Sequence, residues 1–291
     1  MTPRNNSRFP VSALIITLSL GCCGLLAGCG GGASAATTVK YLPSRPESVA
    51  ASEAPAGAPA GGATATEAVA GGFGTLKGKI VYGGSFSPLP PLYAKGNAPK
   101  DPEVCGAEAA PNQRLIVNDG GLANVFIYLD KIPKGVKVPP APADPAVFDQ
   151  KFCVFKPHAL LMRSGQTVKV LNSDPVLHNT HTKPERNNEF NGSVDQAGAQ
   201  FVYTRPEKKP VSVVCDIHPW MTAYHLPIDH PWAAVSGDDG TFEIADVPSG
   251  KLEFKLWHEA GQEIEKAYKV DIKPGETTTV EITVPASKLS P

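Results

Sequence analysis

Val211-Ser-Val-Val-Cys215-Asp-Ile-His218-Pro-Trp-Met221 is the stretch on which the fold of this chain turns. Its first half alternates. Val211, Val213 and Cys215 share one face at the period of two that an extended strand imposes, which holds a thiol against a core. Its second half bends, because Pro219 favours a tight turn and lets a sulfur, an imidazole three residues on and a thioether three beyond face one point. Upstream, the strand-like run Thr167-Val-Lys-Val-Leu171 ends in the turn-prone Asn172-Ser-Asp-Pro175 and leads into Val176-Leu-His178-Asn179-Thr-His181. Two strand ends then meet at one pole. There His178, Cys215, His218 and Met221 supply two imidazoles, a thiolate and a thioether, the donor set of a mononuclear blue-copper site.

In this register, from Ala146 to Asp229, the chain resembles the amicyanin and plastocyanin group of cupredoxins. The match rests on Cys-x-x-His-Pro-aromatic-Met after a strand and on Leu-His-Asn-x-His after a Gly-x-Thr-Val strand. The resemblance implies a Greek-key sandwich with one type 1 copper held by His178, Cys215 and His218, and Met221 in the weak axial position. It implies that Asn179 ties the two loops together and supports a hydrogen bond to the thiolate. His181 matches a family histidine that is not a ligand. It further implies that His218 lies at the protein edge, framed by Pro219 and Trp220 in a patch that docks redox partners. A c-type cytochrome or a periplasmic dehydrogenase is the implied partner class, and single-electron transfer the implied activity. By the same resemblance, copper oxidases and nitrite reductases place a His beside the blue-copper Cys. Here Val214 and Asp216 flank Cys215, so an electron carrier is expected and an enzyme is not.

The amino end indicates the compartment. Arg4 and Arg8 precede an apolar run from Val11 to Leu26, and Leu26-Ala-Gly-Cys29 follows, the pattern of a bacterial secretory signal. The run is rich in Gly and Cys and falls short of the ~20 residues that span a bilayer. Leu-Ala-Gly-Cys resembles a lipoprotein box, which implies a signal over 1–28, a lipid on Cys29 and an envelope protein facing the periplasm. By the same resemblance, Gly30 in place of Asp implies the outer membrane over the inner. Residues 29–72 are mainly Ala, Gly, Pro, Ser, Thr and Glu and cannot bury enough surface to fold, so they read as a linker. A formal net charge of -1, with no basic run, gives nucleic-acid binding no support. Of six cysteines, Cys22 and Cys23 leave with the signal, Cys29 takes the lipid and Cys215 the metal. Cys105 and Cys153 remain, either as one disulfide in an oxidising compartment or as two unrelated thiols.

The folded part, Phe73 to Pro285, is about 210 residues, room for one large or two small domains. Alternating runs recur at Gly78–Tyr82, Ala123–Leu129, Thr241–Ile244, Lys251–Trp257, Ala267–Ile272 and Thr278–Val284, separated by Gly and Pro. No longer helical pattern survives that punctuation, so the expected class is all-β, in sandwiches. Ala234 to His258 resembles the transthyretin-like, carboxypeptidase regulatory-like modules, whose opening strand Leu76-Lys-Gly-Lys-Ile80 matches. The expected divisions are opening strands over 73–145, the copper domain over 146–229, transthyretin-like strands over 230–285 and a tail over 286–291. Whether the copper domain is inserted in the second sandwich or precedes it in series is left open. Gly237-Asp-Asp-Gly240 reads as a hairpin turn, since it lacks the spaced ligands of a calcium loop. His158, His225, His230 and His258 have no metal-ligand register and read as structural. Two further functions fit parts of this pattern: a copper storage or delivery lipoprotein on the same ligands, and a metal-free adhesive or carbohydrate-binding scaffold built on the second sandwich.

Overall fold

The computed structural model describes residues 71–290. Residues 1–70, on which the expected signal, the expected lipid site at Cys29 and most of the expected linker fall, lie outside the described residues. Four strands come first: β1 (Phe73–Gly83), β2 (Val117–Asn118), β3 (Gly121–Leu122) and β4 (Phe126–Leu129), with one short helix, α1 (Pro102–Cys105), between β1 and β2. Nine follow: β5 (Ala146–Gln150), β6 (Phe155–Lys156), β7 (Ala159–Arg163), β8 (Thr167–Asn172), β9 (His178–Lys183), β10 (Asn191–Val194), β11 (Ala199–Val202), β12 (Val211–Val214) and β13 (Thr222–Ile228). The last are β14 (Ala233–Val235), β15 (Thr241–Pro248), β16 (Gly250–His258), β17 (Gln262–Ile272) and β18 (Thr277–Pro285). The class is all-β.

Strand β1 organises one sandwich. It runs antiparallel to β15, parallel to β18 and touches β3, which pairs with β2. The facing sheet has the order β14-β4-β16-β17. Alternation sends Leu76 and Ile80 inward from β1, where they meet Leu122, Ile127, Trp232, Phe254, Leu256 and Ile272. Each such side chain contributes about 1.5–3 kcal/mol on burial. The core is chiefly aliphatic, and we call this the aliphatic sandwich. At its Gly237–Gly240 hairpin the Gly240 N–H donates to the Gly237 carbonyl, the turn expected there.

The chain leaves this sandwich after β4 and returns to it at β14. Between them, β10-β9-β12-β13-β7 and β11-β8-β5-β6 form two sheets around Phe148, Phe155, Val168, Val170, Tyr203 and Val213. His158, His178, His181, His218 and His225 all belong to this second body, the histidine sandwich. Phe126, Tyr128 and Trp257 from the aliphatic side pack with Leu226 and Ile228 from the histidine side. A 2.7 Å hydrogen bond between His158 Nε2 and Glu259 Oε1 crosses the same junction.

Residues 73–145 differ from the expected run of opening strands. The stretch between β1 and β2 carries almost no regular structure, and its Tyr93, Ala98, Cys105 and Ala110 join the core of the histidine sandwich. Proline and glycine break alternation there, so no sheet claims the segment. A disulfide between Cys105 and Cys153, with Cα atoms 5.3 Å apart, ties it down instead. It lies across the pole at which β8 and β12 end.

Candidate metal centre

Three of the four sequence-predicted ligands converge. One ligand atom each from His178, Cys215 and His218 lie within 4.8 Å of one another, and all three residues are buried. The two imidazoles face inward through the same atom, with 2.9 Å between their Nδ1 nitrogens. Cys215 Sγ lies 3.7 Å from His218 Nδ1. Met221 is buried in the same loop, where its N–H donates to the His218 carbonyl and its carbonyl accepts from the Cys215 N–H. Those two bonds close the tight turn that Pro219 favours.

The side chains of His178, Cys215 and His218 each have hydrogen-bond partners outside the cluster. The Asn179 N–H approaches Cys215 Sγ at 3.5 Å, and its Oδ1 accepts from the Asp216 N–H at 2.6 Å. The His218 N–H also points at the sulfur, at 3.4 Å. Burial alone raises a thiol pKa, but hydrogen bonds from His178 and His218 and from these two N–H groups outweigh it and bring Cys215 down to about 6. The thiolate, the form that binds metal, then prevails at neutral pH. Burial alone would lower His178, yet its bonds to Asp174 and Cys215 outweigh it and raise its pKa to about 9.

Two carboxylates behind the imidazoles had no place in the sequence reading. Asp174 Oδ2 meets His178 Nε2 at 3.0 Å, and Asp101 Oδ2 meets His218 Nε2 at 2.8 Å. Such partners fix ring orientation and tautomer and make imidazole a better donor. Asp174 is placed by a turn of its own, its N–H donating to Asn172 Oδ1, while it accepts from the N–H groups of Phe152 and Cys153 at 2.7 and 2.8 Å. Those two residues have positive φ angles of 60° and 52°, which aims both N–H groups at one carboxylate. The motif Asn172-Ser-Asp-Pro signalled only a turn. Asp101 is 117 residues from His218 in sequence, and no local pattern announces it.

His218 departs from its expected position at the edge. It is 0% exposed, closed off by Asp101 on the segment before α1. Trp220 is half-buried, donating its Nε1 proton to the Cys153 carbonyl and meeting the Tyr93 ring edge-on at 5.1 Å, so only Pro219 is fully surface-borne. The resemblance did not foresee a disulfide-held segment over this pole. His181 faces away from the ligands, with its Nδ1 2.8 Å from Asp216 and its Nε2 against Glu189. The donor set fits a soft, tightly held ion: one anionic sulfur, two inward nitrogens and a thioether side chain, all out of water, suit copper better than the oxygen-seeking calcium or magnesium.

No protein-family model matches the chain, and no curated protein does. Cupredoxins are what part of it is similar to among solved structures. A copper-containing nitrite reductase (NirK) from Thermus scotoductus is 19% identical over 33% of this chain, with a TM-score of 0.27; the chain spans only 24% of that enzyme. Amicyanin from Paracoccus versutus is 19% identical over 30% of this chain and 83% of its own, with a TM-score of 0.26. A purple cupredoxin from Nitrosopumilus maritimus is 21% identical over 28% of this chain and 98% of its own, with a TM-score of 0.24.

Proposed function

We propose that this chain is an envelope-anchored type 1 copper protein that transfers single electrons between periplasmic redox partners. The observation that carries the proposal is the buried convergence of His178, Cys215 and His218 with both imidazole Nε2 atoms pinned by carboxylates. Copper, when bound, supplies a one-electron couple; His178 Nδ1, Cys215 Sγ and His218 Nδ1 would hold it, with Met221 alongside. The chain supplies rigidity. Asn179, Asp174 and Asp101 each hold one ligand from outside the pocket, so little has to move when the charge within it changes.

Burial of all four ligand side chains supports a retained metal over cargo for delivery. Val214 and Asp216 flank Cys215 where the resemblance places a His in copper enzymes, which supports a carrier over a catalyst. The Leu26-Ala-Gly-Cys29 box and the linker after it support a lipid-held protein that reaches into the periplasm, with a c-type cytochrome or a dehydrogenase as partner.

The test is a visible absorption spectrum of the chain after addition of Cu(II) and then ascorbate. An intense thiolate-to-copper band that bleaches on reduction and returns on reoxidation is the expected result. Cys215→Ser abolishes the band. A colourless copper complex in the unsubstituted chain overturns the proposal.

A further inference from the structure

The copper pole has two sides, and the structure closes one of them. On the His218 side the segment carrying Asp101 and Tyr93 covers the imidazole and half-covers Trp220. On the His178 side two large apolar side chains stand in solvent, Phe152 at 56% and Leu177 at 50% exposure. Neither is remote from the ligands. Leu177 precedes His178, and the Phe152 N–H donates to Asp174 Oδ1 at 2.7 Å while Asp174 Oδ2 holds His178 Nε2 at 3.0 Å. Two hydrogen bonds thus join the backbone under an exposed aromatic ring to a ligand imidazole.

The display of Phe152 has a cost. A bulky residue at positive φ is uncommon, and such a conformation costs on the order of 1–3 kcal/mol unless its surroundings enforce it. Here Phe152 and the next residue both adopt it, which turns the ring outward as the backbone turns toward Asp174. Two ammonium groups frame the ring, Lys151 Nζ at 5.5 Å and Lys156 Nζ at 4.8 Å from its centroid. An apolar centre with a basic rim is the complement of an apolar centre with an acidic rim.

We propose that Phe152, Leu177, Lys151 and Lys156 form the docking face for an acidic one-electron redox protein, with the Phe152–Asp174–His178 hydrogen bonds as the route between the surface and the metal pocket. The proposal rests on the copper reading above and moves the expected contact from Pro219 and Trp220 to the opposite imidazole. One electron leaves the reduced centre of the partner and arrives at the pocket; no bond forms or breaks and no proton moves.

Two measurements on the full chain decide this. In the copper-free chain, hexacyanochromate(III), a redox-inert paramagnetic trianion, broadens backbone amide signals wherever it settles. The expected pattern is strongest broadening over residues 151–156 and at Leu177, lost in Lys151→Glu/Lys156→Glu. In the copper-loaded chain, the same double substitution leaves the absorption band in place and slows reduction by hexacyanoferrate(II) about 10-fold at low ionic strength, with the gap closing as salt is added. Broadening centred on Pro219 and Trp220 instead, or a rate changed less than about twofold in the doubly substituted chain, overturns the docking face. If no blue band forms, the copper reading fails separately, and the broadening pattern still decides where an anionic surface settles.

Discussion

His230 and His258 in the aliphatic sandwich are buried without a carboxylate on the ring. Each acts as a staple, accepting from a backbone N–H two residues on, Trp232 for His230 and Ala260 for His258. Desolvation lowers both pKa values, His258 to about 4, so these rings stay neutral. At the pole of the histidine sandwich, equally buried rings have carboxylates behind them, Asp174 for His178 and Asp101 for His218. His225, in the same sandwich but in its aromatic core, follows the first pattern, with burial lowering it to about 3. Burial by itself therefore does not separate the histidines of this protein. A carboxylate on one ring nitrogen, with Cys215 near the other, sets His178 and His218 apart.

That contrast can be broken or sharpened in several ways. Phe254→Ala empties a fully buried site in the aliphatic core and is expected to cost about 3–5 kcal/mol in denaturant unfolding while leaving the blue band where it was. A shifted band would mean that the two cores are one unit for the metal as well. Replacing Cys105 and Cys153 with Ser frees the segment over His218, with an expected loss of about 2–4 kcal/mol, since the bridge spans 48 positions. The same variant should surrender its copper to a chelator faster than the unsubstituted chain; an unchanged rate would show that the segment is not a cover.

Asp174→Asn keeps the shape of the turn and weakens the hold on His178, and copper affinity should fall about 10–100-fold in a competition titration. The matching change at Glu259, which pairs with His158 across the junction, should leave copper affinity unaltered. A further test concerns His225. The folded chain refuses its proton down to about pH 3, whereas the unfolded chain takes it up below about 6.5. Its contribution to stability is therefore complete above about pH 6.5 and is lost as pH falls toward 3, at up to about 1.4 kcal/mol per pH unit. His225→Phe should flatten this acid limb in unfolding measured between pH 7 and 4, and an unflattened limb would place the sensitivity elsewhere.

Much of this was legible in the sequence because the signals are local. Val211, Val213 and Cys215 alternate on β12, and the turn through Pro219 brings His218 back beside the sulfur within three residues. Asn179 stands next to His178, so its link to Asp216 needs only that the two strand ends meet. Strand β1 was legible too, since Leu76 and Ile80 alternate with exposed or half-buried neighbours. The segment between β1 and β2 was not, because a stretch broken by Pro and Gly carries no periodicity to say which body it will pack on.

The amino-acid order by itself determined the all-β class, the strand that carries Cys215 and the donors that share its pole, since a period of two and a tight turn act over a few residues. Only the tertiary structure decided that Asp101 reaches His218 from 117 positions away, that Cys105 and Cys153 bond across the pole, and that Phe152 faces water while His218 does not. Those outcomes depend on which surfaces compete for burial once the strands have paired, and that competition is settled by the whole packed chain.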